Sequence, residues 1–511
     1  MRQKWTSKIG IIMAVAGSAI GLGNFLRFPS QAAQNGGGAF MIPYFIALFL
    51  LGIPLMWIEW AIGRYGGLFG HGTAPLIFNR LWQHRASKYF GAIGVFGPLM
   101  IFIYYVYIES WLLGYSFYSL KGTFQALKTK EQVIGFLQSY QGMGSNNIFI
   151  YAYLFFLITF IANFFIIYKG VKGGIEKLCN IALPILFFFA IVILIRVFTL
   201  KTPVTEHPGW NVLNGFGFMW NPDFSALKNA KVWLAASGQI LFTLSVGIGV
   251  IITYASYLSK GDDIVLSGLT ASSLNEFAEV ILGGSIVIPL AFAFFGGLGA
   301  QEVAKSGSFN IGFVSMPLIF SKIGYGMIFS FMWFFLLFLA GITSSISLLE
   351  PTVAFLSDDL GISRKRAVSI IAIFSFIICQ FPIFFLSRGV VDEIDFWAGS
   401  FFLVVFALAE CILFVWIFGI DKAWDEIHHG AELNIPKFYK FIIKYITPLF
   451  LIFILSFWFF QQAVPCFFLK GVPKENVPYI LTTRIGFVTI FILIAFLVRK
   501  AYRAKLKGQK R

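Results

Sequence analysis

Two short glycine-rich segments interrupt otherwise apolar stretches of this sequence. The first, residues 17–24, reads GSAIGLGN, and the second, residues 243–249, reads TLSVGIG. A break in a helix frees carbonyl groups, which attract cations, and amide groups, which attract anions. The amides of Leu22 and Gly23 are suited to a carboxylate, since glycine lets a ligand approach the backbone. The alternative is that these glycines only allow tight helix packing.

Neutral side-chain oxygens accompany both breaks and extend the predicted site. Asn24 and Thr243 lie within the breaks, and three more polar residues lie in later apolar stretches: Asn275, Thr343 and Ser344. Such oxygens suit a hard monovalent cation such as sodium. For any one of these residues, a hydrogen bond between helices is the alternative. As a set, they predict cation binding beside a small charged molecule.

Charged residues within apolar stretches must be paired, neutral or functional. Arg27 lies one turn beyond Asn24, and Asp395 begins a later apolar stretch at the same predicted face, so they predict an ion pair above the site. Independent snorkelling to the interface is the alternative. The glutamates within apolar stretches are Glu59, Glu109, Glu276, Glu279 and Glu410. We interpret Glu59 and Glu410 as structural.

Membrane helices must position these residues, because the chain is 58% hydrophobic, only 12% charged and has a mean hydropathy of +0.81. This composition excludes the soluble classes. Runs of about 20 apolar residues are long enough to cross a bilayer as helices. The sequence therefore predicts an all-α membrane protein with about twelve spans: 8–28, 39–65, 89–119, 147–168, 176–200, 232–258, 266–296, 326–356, 367–387, 394–419, 441–462 and 478–499.

The order of the spans predicts two inverted halves. Five crossings separate the first broken span from the sixth, so the sixth runs in the opposite direction, and paired broken helices are typical of secondary transporters. We predict a first repeat over residues 1–200, a second over 201–420, and two further helices with a basic tail over 421–511. Polar segments 121–146, 201–231 and 297–325 are predicted external loops, the third a lid.

The net charge of +16 does not indicate nucleic-acid binding. Most lysines and arginines fall in predicted cytoplasmic segments, as the positive-inside rule requires when both termini are cytoplasmic, and they face lipid. The four cysteines are scattered, which predicts no disulfide. No Ser–His, Cys–His or metal-ligand set lies at membrane depth, so an enzyme is excluded.

Four longer stretches resemble the neurotransmitter:sodium symporter family, and within it the bacterial leucine transporters. They are residues 21–29 (GLGNFLRFP), 35–40 (NGGGAF), 104–111 (YYVYIESW) and 395–399 (DFWAG). The likeness extends over all predicted helices and implies the leucine-transporter fold. It implies import of a neutral, hydrophobic, leucine-like amino acid with sodium by alternating access, in the bacterial cytoplasmic membrane. A homodimer is compatible with it.

The resemblance also implies two sodium sites. The first would use the substrate carboxylate together with the carbonyls of Ala19 and Thr243 and the side chains of Asn24, Thr243 and Asn275. The second would use the carbonyls of Gly17, Ile20 and Ala340 and the hydroxyls of Thr343 and Ser344.

By the same resemblance, Tyr105 would hold the substrate carboxylate, carbonyls near Phe242 to Ser245 its ammonium, and Phe242 would be a lid. The implied substrate-binding residues are Ala19, Gly21, Leu22, Gly23, Ile101, Tyr105, Phe242, Thr243, Ser245, Ile248, Ser344 and Leu348. Leucine transporters of the family have phenylalanine at Ile248, valine at Ile101, isoleucine at Leu348 and asparagine at Ser18. These departures leave leucine, an aromatic amino acid and a smaller amino acid open as substrates. Two substrates that differ by one methylene group differ in binding free energy by only about 1 to 3 kcal/mol.

The resemblance implies gates and chloride independence as well. Arg2 and Asp358 would close the cytoplasmic side, supported by Trp5, Ser256 and Tyr257. Chloride-dependent relatives carry a neutral residue where this chain has Glu279, so this carboxylate would supply the negative charge. Two alternatives stay open: a proton-coupled transporter, and a sensor that binds an amino acid without accumulating it.

Overall fold

The structure is a computed structural model that describes residues 3–144 and 148–508, and these residues are almost entirely helical. Helix 1 is a bent pair, helix 1a (Lys8–Ala19) and helix 1b (Gly23–Gln34). Helix 6 is also split, into helix 6a (Ala230–Thr243) and helix 6b (Val250–Ala255). The other ten spans are helices 2 (Gly38–Leu68), 3 (Ser87–Leu120), 4 (Phe149–Tyr168), 5 (Val171–Phe198), 7 (Val265–Lys305), 8 (Gly326–Asp359), 9 (Arg364–Phe384), 10 (Val390–Ile417), 11 (Phe438–Phe467) and 12 (Val477–Lys505). The predicted fold class is confirmed.

Both predicted breaks are present. Helix 1a ends where Ile20 turns to an extended conformation (φ −73°, ψ 94°), and the two halves of helix 1 meet at 46°. In helix 6, Gly247 and Gly249 have positive φ values of 76° and 86°. A side chain at either position would also collide with backbone, since a Cβ would lie 2.6 Å from the carbonyl oxygen of Leu403 or 2.5 Å from that of Gly94. The glycines therefore serve both the turn and the close packing.

The broken helices lie at the centre of the bundle. Helix 3 packs along helix 8, helix 1a packs on helices 5, 7 and 8, and helix 6b packs on helices 2 and 8. The outer helices instead expose large apolar side chains, such as Ile161 on helix 4, Ile377 on helix 9 and Ile492 on helix 12. Such surfaces are stable in contact with lipid tails, which agrees with a multi-pass membrane protein.

The prediction of a loop over residues 297–325 was wrong. Helix 7 bends at Gly296 (φ 69°, ψ 178°) and continues to Lys305, and residues 308–322 are helical. Glycine and polar residues indicated a loop, but the apolar side chains between Ile311 and Phe320 are buried against the bundle. Phe313 packs on Trp111 of helix 3 with ring centroids 5.6 Å apart. The segment therefore covers part of the helix bundle as packed helix.

Candidate functional site

A cavity lies between the two helix breaks, and all twelve predicted substrate-binding residues line it. Helix 1 contributes its unwound residues, helix 3 contributes Ile101 and Tyr105, helix 6 contributes Phe242 to Ile248, and helix 8 contributes Ser344 and Leu348. Gly21 lies where helix 1 approaches helices 3 and 8, because a Cβ there would be 2.9 Å from Ser344 Oγ and 3.3 Å from Tyr105 Oη. The cavity is therefore bounded directly by backbone at Gly21.

Oxygen atoms cluster on one side of this cavity, around Asn275 of helix 7. Its side-chain amide lies 2.8 Å from Asn24 Nδ2 and 3.3 Å from the carbonyl oxygens of both Ala19 and Thr243. Asn24 Oδ1 accepts from the Gly21 amide at 2.8 Å, which fixes that side chain across the break. The structure thus brings together all the protein ligands predicted for the first sodium site.

A second oxygen cluster lies where helix 1a meets helix 8. Ser344 Oγ is 3.4 Å from the carbonyl oxygen of Gly17 and 3.5 Å from that of Ile20. Thr343 Oγ1 is 3.1 Å from the carbonyl oxygen of Ala340. A Cβ on Gly17 would lie 3.2 Å from Thr343 Cβ, so the two helices are in contact here. These are the residues predicted for the second sodium site.

Glu279 of helix 7 is completely buried beside the first cluster. It accepts hydrogen bonds from Asn24 Nδ2 at 3.0 Å, from Gln239 Nε2 at 2.8 Å and from the hydroxyl of Thr243. Three donors hold the carboxylate in place, and two of them also belong to the first cluster. A negative charge here would attract a cation bound in that cluster.

The predicted ion pair between Arg27 and Asp395 is not formed. Within the described ranges no nitrogen–oxygen contact of 4.0 Å or less joins the two residues. Asp395 accepts a hydrogen bond from the Tyr104 hydroxyl, and the Arg27 guanidinium lies 4.3 Å from the centre of the Phe242 ring. Both residues line a vestibule of about 210 Å³. The two charges are therefore present at the mouth of the site, and other partners hold them apart.

Phe242 and Tyr105 line both the vestibule and the inner cavity. Phe242 also packs close to helix 1, since a Cβ on Gly23 would lie 2.8 Å from its ring. The aromatic ring therefore lies between the two spaces, which is the position that the predicted lid requires.

The side of the site opposite the vestibule, which the sequence predicts to be cytoplasmic, is covered by the segment before helix 1a. Trp5 Nε1 donates to the carbonyl oxygen of Tyr254 in helix 6b at 2.9 Å, and the two rings meet edge to face. Ser256 Oγ lies 3.3 Å from the carbonyl oxygen of Gly72. Arg2, the predicted partner of Asp358, lies outside the described residues.

Tyr257 and Asp358 also lie on this side. Tyr257 Oη donates to Glu350 Oε1 at 2.9 Å, and Arg364 Nη2 contacts Glu350 Oε2 at 2.6 Å. Ser357 Oγ donates to Asp358 Oδ1 at 3.1 Å. The four described residues of the predicted cytoplasmic gate thus lie on one side of the cavity, opposite the vestibule.

Sequence reasoning missed three contributors to the site. Gln239 holds Glu279, Tyr104 holds Asp395, and Ser347 lines the cavity beside Ser18. Gln239 lies one turn before Thr243 on helix 6a, so its spacing from the break could have predicted that it belongs to the site. Glu59 accepts the Gly247 amide at 2.5 Å, in line with its structural interpretation.

A buried polar cavity between two interrupted membrane helices is the architecture of a class of secondary transporters. Comparison with known proteins gives the family. The chain matches the sodium:neurotransmitter symporter family over residues 2–131 and 129–470, and it belongs to that family. It is therefore a multi-pass membrane transporter that uses sodium, and not an enzyme.

Individual relatives agree with this assignment. An uncharacterized sodium-dependent transporter of Methanocaldococcus jannaschii is 34% identical, with 88% of this chain and 89% of that protein covered. Sodium-dependent nutrient amino acid transporter 1 of Drosophila yakuba is 26% identical, with 89% and 77% covered. Among solved structures, MhsT in complex with L-phenylalanine has a TM-score of 0.76 and 29% identity, with 89% of this chain and 99% of that chain covered.

Proposed function

We propose that this protein imports a neutral, hydrophobic amino acid together with two sodium ions, by alternating access and without chloride. We place it in a bacterial cytoplasmic membrane with both termini inside. The observation that carries the proposal is the cluster of oxygens around Asn275 at the helix breaks.

Oxygen-bearing groups from helices 1, 6 and 7 converge at the first cluster. The side-chain amide of Asn275 lies 3.3 Å from two carbonyl oxygens, Ala19 O and Thr243 O, and 2.8 Å from Asn24 Nδ2. A cation bound here would be coordinated by the two carbonyl oxygens and by Asn275 Oδ1, and sodium accepts such neutral oxygen ligands. The buried carboxylate of Glu279 would balance part of the charge, which supports transport without chloride.

The same breaks supply the groups that an amino acid needs. Amides at the start of helix 1b suit the carboxylate, and free carbonyls in helix 6 suit the ammonium. The side-chain end of the cavity has apolar walls at Ile101, Ile248 and Leu348. The phenylalanine bound to MhsT supports a hydrophobic amino acid as substrate.

Two sodium ions would provide enough driving force. Moving one charge through about 100 mV contributes roughly 2.3 kcal/mol, so two ions contribute roughly 4.6 kcal/mol before any sodium gradient is counted. That free energy corresponds to accumulation on the order of a thousandfold. A membrane potential alone therefore suffices for concentrative uptake.

Binding of labelled leucine and phenylalanine to the purified protein, in sodium or in choline, tests the proposal. We expect binding in sodium only, and we expect the combined change Asn24→Ala and Thr343→Ala to abolish it, since each removes a predicted ligand of one sodium site. The matched control combines Asn214→Ala and Thr482→Ala, both exposed and remote from the cavity. Binding that is equal in choline would favour proton coupling, and binding that keeps its sodium dependence in the double variant would contradict the assigned ligands.

A further inference from the structure

Four serines line the cavity: Ser18, Ser245, Ser344 and Ser347. Each has one hydroxyl hydrogen, and the neighbouring acceptors determine where it points. Ser347 Oγ donates to the carbonyl oxygen of Ser344 at 2.6 Å, and Ser245 Oγ donates to that of Ser18 at 3.0 Å. Ser344 Oγ has three carbonyl oxygens of helix 1 within 3.5 Å. A carbonyl can only accept, so these three hydrogens point away from a bound side chain.

The remaining hydroxyl belongs to Ser18, whose Oγ lies 2.7 Å from Ser347 Oγ. The hydroxyl group of Ser347 has one hydrogen, which it donates to the carbonyl oxygen of Ser344. Ser18 must therefore donate in this pair, which leaves Ser18 Oγ with acceptor capacity only. Ser18 is 5% exposed and Ser347 is 1% exposed, so bulk water does not reach this oxygen freely.

We infer that the preferred substrate carries a hydrogen-bond donor, an O–H or N–H group, on an otherwise apolar side chain. The inference rests on the proposed function and narrows its substrate class. A donor on the ligand gains a hydrogen bond to Ser18 Oγ without breaking any other. An acceptor on the ligand would need the Ser18 hydrogen and would break the chain of hydrogen bonds that ends at the Ser344 carbonyl. Ile101, Ile248 and Leu348 line the cavity and would contact the rest of the side chain.

Isosteric pairs of amino acids test this inference by competition against a bound labelled amino acid in sodium. The pairs are threonine with valine, tyrosine with phenylalanine, and tryptophan with its benzothienyl analogue, in which sulfur replaces the indole N–H. In the pair that binds most tightly, we expect the donor-bearing member to be favoured about tenfold, the effect of one net hydrogen bond.

The variant Ser18→Ala should remove this preference. Ser237→Ala is the matched control, because Ser237 is equally buried in helix 6a, donates to its own backbone at Trp233, and does not line the cavity. Sodium-dependent binding of the donor-free member reports that Ser18→Ala is folded.

If the donor-free member of every pair binds as well as its partner, or if Ser18→Ala keeps the preference, the inference is overturned while the proposed function stands. If the wild-type protein binds none of these amino acids in sodium, both are overturned.

Discussion

At the scale of single residues, Glu279 combines two tasks in one side chain. It accepts hydrogen bonds from Asn24 and Thr243, and it places a carboxylate beside the oxygens of the first predicted sodium site. A buried charge of this kind is costly unless it is balanced. The proposed account balances it with the bound cation, so the side chain and the ion stabilise each other.

Replacing Glu279 by serine should make amino-acid binding depend on chloride, because the site would then need a mobile anion. We expect sodium-dependent binding to fall at least tenfold when chloride is replaced by gluconate, and to return when chloride is restored. The measurement is a binding titration in each salt. Glu475→Ser is the control, since that side chain is 73% exposed and remote in sequence from both breaks. Binding by Glu279→Ser that is equal in both salts would show that this carboxylate does not replace chloride.

At the scale of elements, the two breaks depend on glycine for different reasons. In helix 6, Gly247 and Gly249 have backbone angles that other residues rarely adopt. In helix 1, Gly21 leaves room beside Ser344 and Tyr105. The first requirement concerns folding, and the second concerns the space available to a ligand.

Gly21→Ala should therefore abolish amino-acid binding, while thermal stability falls by no more than about 1 to 3 kcal/mol, the usual range for a crowded site. Gly97→Ala is the matched control, because Gly97 is buried in helix 3 and a Cβ there would meet nothing within 4 Å. That change should leave binding unaltered and stabilise the helix by up to about 1 kcal/mol. Wild-type affinity in Gly21→Ala would place the substrate elsewhere.

The membrane spans and the two helix breaks could be predicted from the sequence, whereas some packed segments and side-chain partners could not. Long apolar runs and glycine at the breaks have direct physical signatures, so the spans and both interruptions are where the pattern predicts. Residues 308–322 have a mixed pattern of apolar and polar residues that does not by itself predict a helix. Their helical conformation depends on contacts with the rest of the bundle. The partners of Arg27 and Asp395 depend on side-chain positions at the mouth of the cavity, where Phe242 and Tyr104 compete for them.

At the scale of the whole molecule, the structure has a vestibule on one side of the cavity and packed side chains on the other. Alternating access requires that this asymmetry reverse. Trp5 joins helix 1a to helix 6b on the packed side of the cavity. Helix 1a also covers Cys179 of helix 5, since a Cβ on Gly17 would lie 3.1 Å from its sulfur. The native cysteine therefore reports movement of helix 1a.

Trp5→Ala should speed maleimide labelling of Cys179 about tenfold, because it removes a hydrogen bond and an aromatic contact that hold the cytoplasmic side closed. Trp5→Phe should have a smaller effect, and sodium should slow labelling in each protein. Mass spectrometry of the labelled peptides assigns the site, with buried Cys379 on helix 9 as the reference that stays unlabelled. Equal labelling of Cys179 and Cys379 in Trp5→Ala would exclude a role for Trp5 in closing this side.

Uptake by proteoliposomes tests the central claim that oxygens freed at two helix breaks couple sodium to an amino acid. With sodium outside and a negative interior potential, we predict accumulation of labelled amino acid above its external concentration, and its collapse when choline replaces sodium. Accumulation that persists in choline, or sodium-dependent binding without any accumulation, would contradict the account.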